Sequence, residues 1–294
     1  MPELPEVECV RLSLERLVVG RRVDTVRVTR PDVITGLADD QALLVGDKVS
    51  RVMRHGKQLA ILGDSGGCVC IHLGMSGQLC VVGAVEADIP LNKRTETPTS
   101  SLHAGDLPPH THVFWTFDAG PALRFTDPRR FGGLWTFDCE NDLIARRWSL
   151  LGPDALEITP SQLRAGLART KRGLKAALLD QHVVAGLGNI YVDELLFNAK
   201  LHPLTPACDL DLTQLPSLIR RMKTLLSGAI ERGGSSLRDY VDAENRQGSQ
   251  QNRHRVYGRA GHRCKRRGCG AIIQSEQIAG RTTAWCPGCQ TMLD

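Results

Sequence analysis

At 294 residues and 41% hydrophobic side chains, the chain is long enough for two cores and is too apolar to read as disordered. No apolar run approaches the length of about eighteen residues that a membrane helix needs, and the acidic start MPELPEVE lacks the basic region of a signal peptide; the expectation is a cytoplasmic protein with no membrane partner. The net charge of +5 is unevenly spread: from Asn245 to Asp294 nine Lys or Arg face two acids, leaving 28 basic and 30 acidic residues upstream. A positive field confined to the last fifty residues suits a polyanion such as nucleic acid, although it is also what a solvated basic face looks like.

The first predicted element is a helix from about Leu4 to Val19, where Val7, Val10, Leu14, Leu17 and Val18 recur at helical spacing. Pro5 is tolerated in its first turn, the acids there suit the helix dipole, and Gly20 ends it. The period then changes. RVDTVRVTR, KVSRVMRHG, CVCIHL, QLCVV, HVFWTF and LRFT, separated by Gly, Asp and Pro turns, argue for a mostly antiparallel sandwich or barrel. Between Glu86 and Pro109 a Thr/Ser/Pro-rich segment reads as a long loop. From about Trp148 the pattern becomes helical through QLRAGLART, KAALLDQH, NIYVDELLFNAK and QLPSLIRRMKTLLSGAIERG. The chain thus divides into a β domain over residues 1–140, a helical domain over 148–240 and a small metal module over 245–294, an α+β multidomain architecture.

The ten cysteines form two populations. Cys9, Cys68, Cys70, Cys80, Cys139 and Cys208 lie among apolar residues and are expected to be buried reduced thiols. Cys264, Cys269, Cys286 and Cys289 have the spacing C-x4-C-x16-C-x2-C, in which two close thiolate pairs can close a tetrahedron around zinc. Four cysteines leave no open coordination position, so the ion would be structural and would supply folding energy to a segment too polar to build its own core. A redox dithiol pair and inert thiols are the alternatives. Arg281, between the two pairs, would sit on a β-hairpin stiffened by the metal.

Three turns carry candidate binding residues. VVAGLGNIYVDELL joins two helices through glycines, with Asn189 as a candidate N-cap; Gly186 and Gly188 either admit a phosphate to the helix start or simply make a tight turn. In HLGMSG and DPRRFGG, Met75 and the run Arg129, Arg130, Phe131 either tuck into the sandwich or form a wedge of the kind that fills a base stack after extrusion. At the N-terminus, loss of Met1 would leave Pro2 with a secondary amine whose reference pKa of about 8 keeps a fraction unprotonated at neutral pH. Such an amine can attack an anomeric carbon to give an iminium, with Glu3 and Glu6 close enough in sequence to move protons; alternatively, MPELPE is only a helix start.

MPELPEVE, RHGKQL, HLGMSG, TDPRRFG, LLDQHVVAGLGNIYVDELLF, GGSSLRDY, VYGRAG and the CPGCQ ending, in this order over nearly the whole chain, resemble the formamidopyrimidine-DNA glycosylase family. The resemblance implies an N-terminal β-sandwich with a leading helix, a helix-two-turns-helix domain and a zinc-finger β-hairpin. It implies Pro2 as nucleophile, Glu3 as general acid/base and Glu6 as support. Lys57, counted with the catalytic set, would with Asn189 and Arg281 hold the phosphates flanking a flipped nucleotide, while Met75, Arg129 and Phe131 fill the gap. Glu194 matches a carboxylate near the site, and His72 a backbone contact. The implied protein is a monomer with one structural zinc ion that removes oxidised purines from double-stranded DNA and cleaves at abasic sites by β and δ elimination.

Several departures stand out. The first cysteine pair has four intervening residues where the family usually has two, Pro109, His110, Thr111 and His112 replace a Lys-His-Asp-His run, and Ser249 and Gln250 stand where an aromatic residue is usual. The rival readings are an endonuclease VIII-like glycosylase for oxidised pyrimidines, against which Leu4 argues because that group begins Met-Pro-Glu-Gly-Pro-Glu, and a lesion-binding protein without chemistry, which retention of Met1 would favour.

Overall fold

The computed structural model describes residues 1–83, 107–237 and 240–292. The leading helix α1 spans Leu4–Val18, with Gly20 at φ +84 turning the chain out of it. Among the described residues nine strands follow in two sheets. β1 (Val23–Val28), β6 (Gln78–Val82), β7 (Thr111–Phe117) and β8 (Ala122–Thr126) make a four-stranded sheet in the order β1-β7-β8-β6. β2 (Ile34–Thr35), β3 (Val49–His55), β4 (Gln58–Gly63), β5 (Cys68–His72) and β9 (Gly133–Phe137) make a five-stranded sheet in the order β2-β9-β5-β4-β3. All pairs are antiparallel except β2 with β9. The apolar faces meet in one core, with Leu59, Ile61 and Ile71 opposite Leu79, Val113 and Phe125, and Val7, Val10 and Leu14 of α1 close it.

β2, β4 and β9 are not among the stretches that alternation picks out. The reason is visible for β4, QLAILG, which is buried on both faces: its outer side, with Ala60, Leu62, Cys68 and Cys70 of the same sheet, packs under Leu143 and Trp148. Leu143 belongs to helix α2 (Glu140–Arg146), so helical structure begins before the predicted Trp148. The expected loop at 86–109 lies outside the described residues except at its last three positions. The scattered thiols are buried apart from Cys139, which is half-buried, and Cys208, which is exposed beside Asp209.

The helical part comprises α3 (Pro160–Leu167), α4 (Leu174–Leu179), α5 (Asn189–Ala199) and α6 (Leu215–Glu231). α6 buries Leu215, Leu218, Ile219, Met222 and Leu226, a single stripe at helical spacing. α5 is different: every residue from Ile190 to Phe197 is buried, so this helix is the axis on which the other parts pack. Leu4 of α1 lies in the helical core rather than the sandwich core. A second tie is Arg54 of β3, whose buried guanidinium pairs with Glu8 of α1 and with Asp154 of the helical part, and Asp154 also accepts the Gly56 N–H at 2.8 Å.

The last module is built on β10 (Gln274–Ile278) and β11 (Arg281–Trp285), an antiparallel hairpin in which Ile278 faces Arg281. Its two-residue turn, Ala279 and Gly280, has φ of +52 and +70, the primed geometry that fits strand twist. The module's own core is small, Val256, Cys264, Ile273, Ala284 and Cys286, and it borrows Phe197 from α5. Among the described residues no helix is long and apolar enough to cross a membrane.

Candidate active site and nucleic-acid cleft

Glu3 is the N-cap of α1, yet its side chain reaches the start of a different helix. Its carboxylate accepts the N–H groups of Gly188 at 2.8 Å, Ile190 at 2.9 Å and Tyr191 at 3.3 Å, the free amides at the N-terminus of α5. The N-cap of α5 is Gly188, not Asn189, and the anion on its amides is Glu3, not a phosphate. The two glycines serve this approach: a Cβ on Gly188 would lie 2.4 Å from Glu3 Cδ, and one on Gly186 would lie 2.5 Å from Leu4 Cδ1. Leu4 also donates its N–H to the Gly186 carbonyl at 3.0 Å, so the first residues of the chain are stitched across the helical part.

Burial raises the Glu3 carboxyl above its ordinary value, while nearby Lys57 and the three amides pull it back. Glu6, one turn along α1, accepts the Tyr191 hydroxyl at 2.6 Å and the Ser235 N–H at 2.8 Å, and its other oxygen takes the Glu3 N–H at 2.9 Å. Burial first and the Glu3 charge second push Glu6 up to about 7, so one of the two neighbouring carboxyls holds a proton near neutral pH.

A cleft of about 780 Å3 opens over these groups, and Pro2, Glu3, Glu6, Lys57, His72 and Arg281 all line it. Lys57 is only 8% exposed; burial lowers its pKa, Glu3 opposes that, and Arg281 adds to it. The exposed Arg281 guanidinium is carried to the same space by the hairpin. Asn189 lines the cleft but its Nδ2 donates to the Thr282 carbonyl at 2.8 Å, tying α5 to the hairpin, and its enclosed Oδ1 has no protein partner. His72 accepts the Gly74 N–H on Nδ1 at 3.3 Å, and burial pushes it down to about 4, so it meets a ligand as a neutral ring.

Met75 and Phe131 do not tuck into the sandwich: they are 39% and 56% exposed. Arg129 lies over the Phe131 ring at 4.8 Å from its centroid, beside Met75 at the cleft. What holds this tip is Asp127, a fully buried carboxylate that no sequence pattern singles out. It accepts the Ser76 hydroxyl at 2.6 Å from one loop and the N–H groups of Arg129 at 3.3 Å and Gly132 at 2.7 Å from the other. The loops interlock so closely that a Cβ on Gly74 would lie 2.3 Å from the Gly132 nitrogen. Asp followed by Pro is a turn signal, but nothing local reveals that its carboxylate staples a second loop.

Glu194 is placed elsewhere than the resemblance implies. Its buried carboxylate accepts the N–H groups of Arg255, Val256 and Tyr257 at 2.8–2.9 Å and does not line the cleft; it anchors the strand of chain leading into the last module. Its neighbour Asp193 is equally occupied, pairing with buried Lys175 at 2.6 Å and accepting the Ala284 N–H of the hairpin at 2.9 Å. The signal for both was the acidic pair inside an otherwise apolar helix, which requires buried partners.

The four clustered cysteines converge, with all Sγ atoms within 4.8 Å of one another. The Cys264–Cys289 and Cys269–Cys286 sulfurs are 3.9 and 3.6 Å apart, and all four thiols are free. A Zn–S bond of about 2.3 Å gives a tetrahedral S···S edge of about 3.8 Å, so the donor set fits a metal ion held by thiolates alone.

A sequence model of the formamidopyrimidine-DNA glycosylase N-terminal domain matches residues 1–134, and one of the formamidopyrimidine-DNA glycosylase H2TH domain matches residues 151–241. The formamidopyrimidine-DNA glycosylase of Geobacillus kaustophilus is 38% identical over 295 residues, covering 99% of this chain and 100% of that one. That of Dinoroseobacter shibae is 40% identical over 296 residues, with 99% and 100% coverage. Among solved structures, a Lactococcus lactis Fpg variant in complex with Fapy-dG-containing DNA matches at a TM-score of 0.82 and 32% identity, covering 99% of this chain and 100% of that one. The MutM (FPG) protein of Thermus thermophilus matches at 0.81 and 34%, with 100% coverage of both. With both domain models in chain order and full-length relatives agreeing along the whole sequence, the chain belongs to the formamidopyrimidine-DNA glycosylase family.

Proposed function

We propose that this glycosylase excises oxidised purines, such as 8-oxoguanine and formamidopyrimidines, from duplex DNA and then cleaves the strand at the abasic site, using the secondary amine of Pro2 after loss of Met1. The observation that carries the reading is the meeting in one cleft of the chain's second residue, two buried carboxyls and the cations Lys57 and Arg281. Its neighbours support the substrate class: Lactococcus lactis Fpg is described with Fapy-dG-containing DNA and with DNA containing an abasic site.

In this reading Lys57 and Arg281 receive backbone phosphates, and Met75, Arg129 and Phe131 enter the space left by the extruded nucleotide. As the bond from C1′ to the base breaks, the Pro2 nitrogen bonds to C1′ and gives up its hydrogen; the C1′–O4′ bond then opens to the N=C1′ iminium as O4′ takes a proton, and the departed base takes another. Glu6, able to hold one near pH 7, is the reservoir for that proton, relayed through the cleft. Glu3, fixed by three amides and raised by burial, is the general acid/base that hands protons between this reservoir and the sugar. Loss of a C2′ proton then expels the 3′ phosphate, and a further elimination expels the 5′ phosphate. A zinc ion in the four-cysteine site would supply rigidity to the hairpin that carries Arg281 and no reacting group.

Borohydride trapping on duplexes carrying 8-oxoguanine or an oxidised pyrimidine opposite each base tests the reading, with intact mass establishing that Met1 is absent. A covalent adduct with preference for the oxidised purine is the expected result. No adduct on any duplex overturns the lyase mechanism, and a pyrimidine preference overturns the substrate assignment.

A further inference from the structure

The longer first cysteine spacing has a structural use. The inserted stretch Lys265, Arg266, Arg267 and Gly268 closes on itself through the Cys269 N–H to the Arg266 carbonyl at 3.0 Å, with Gly268 at φ +78. This turn points Arg266 back at α5. Its guanidinium Nη2 donates to the Phe197 carbonyl at 2.6 Å, and its carbon centre lies 4.4 Å from the centroid of the Phe197 ring. Its backbone N–H is 3.4 Å from the Cys264 sulfur. Phe197 is itself part of the module's core with Cys264 and Cys286. One residue therefore touches a thiolate, an aromatic ring and a carbonyl in the last turn of a helix, where the dipole favours a cation.

We propose that Arg266 is a latch that seats the metal module on the C-terminal end of α5, so that retention of the ion and placement of Arg281 depend on one guanidinium. The inference rests on the zinc reading above. Of the other ties between α5 and the module, those from Asp193 to Ala284 and from Asn189 to Thr282 hold the second strand of the hairpin, and that from Glu194 holds residues 255–257. Arg266 holds the opposite side, the first cysteine knuckle. With both sides pinned, the hairpin is fixed in tilt as well as position, which is what a single arginine at its turn needs in order to meet a phosphate. Four thiolates around a divalent cation leave a net negative site, and Arg266 also supplies a compensating charge beside it. A lysine cannot substitute, because it has no planar group to lie on the ring while donating to the carbonyl.

The test uses full-length protein loaded with one equivalent of zinc, and follows transfer of the ion to a chromogenic chelator. Arg266→Met keeps the backbone N–H on Cys264 and removes only the guanidinium; losing outer support of a metal site typically costs 10–100-fold in affinity, so zinc is expected to leave about 10-fold faster, and nearly as fast from Arg266→Lys. In duplex-binding titrations at several salt concentrations, Arg266→Met is expected to lose about one phosphate from the slope, and Arg266→Met with Arg281→Ala to lose no more than either alone. Wild-type release rates in Arg266→Met overturn the latch and leave the metal reading intact; should that variant not fold, wild-type rates in Arg266→Lys do the same. A wild-type chain that takes up no zinc overturns the metal reading instead.

Discussion

Gly188→Ala separates two uses of the same glycine. The residue lies at the N-cap of α5 with φ −135, extended backbone that alanine adopts freely, so the substitution carries no conformational strain. What it carries is a methyl group 2.4 Å from Glu3 Cδ, 2.6 Å from Oε1 and 2.7 Å from Cγ. The carboxylate has to shift, and one or two of its hydrogen bonds from Gly188, Ile190 and Tyr191 go with it. Hydrogen bonds to a charged group contribute about 1.5–3 kcal/mol each, so losing one or two costs about 3 kcal/mol, against a few tenths for an alanine at an ordinary glycine cap. The assay is urea unfolding of Gly188→Ala in the wild type and in a Glu3→Ala background. A cost of about 3 kcal/mol in the first and near zero in the second is expected, a coupling typical of groups in contact. Excision should fall in parallel. Equal costs in both backgrounds, or unchanged stability with weakened DNA binding, would refute the reasoning, because the second pattern is what a glycine kept open for phosphate produces.

Other perturbations follow from the same geometry. Glu6 has its folded-state pKa raised from 4.5 to about 7, so the native state binds the extra proton and stability falls as pH rises through that window, by about 3 kcal/mol in total; Glu6→Gln should flatten this slope when the two proteins are unfolded in urea from pH 5 to 8. Arg54→Met leaves Asp154 buried without its cation, while Glu8 keeps Arg11, and thermal unfolding should show a loss of about 3 kcal/mol. Asp127→Ala removes the acceptor shared by Ser76, Arg129 and Gly132 and leaves the 3.3 Å bond from the Arg129 N–H to the Ser76 hydroxyl, and single-turnover excision should slow about 10-fold as the interlock that presents Met75 and Arg129 loosens. Stripping the metal with a chelator should weaken DNA binding while the far-UV signal of the sandwich persists, because the module shares its core with α5 and not with the sheets.

The site is built on a helix that receives contacts along its whole length. Glu3 closes the N-terminal end of α5, Asn189, Asp193 and Glu194 hold the hairpin and the segment before it, and Arg266 meets the last turn. The neighbourhood of Pro2 and the guanidinium of Arg281 are therefore referenced to one rigid element, which is how two groups so far apart in sequence reach one cleft.

Local pattern was sufficient wherever a single period or spacing carries the information. α1 and α6 each bury one stripe and announce it at helical spacing, and four cysteines in close pairs declare their convergence whatever surrounds them. Motif content was sufficient to place Pro2, Lys57 and Arg281 together. Pattern failed where burial is complete or partners are distant. β4 has no polar face to alternate with because both of its sides are covered. Glu194, met in sequence, is a carboxylate awaiting a role, and only packing shows that three backbone amides already occupy it. Gly188 and Asn189 have the composition of an anion site, and the fold does bring an anion there, but it is the side chain of Glu3, 185 residues earlier. Hydrogen-bond capacity is local; the group that fills it is decided by which surfaces the tertiary structure presses together.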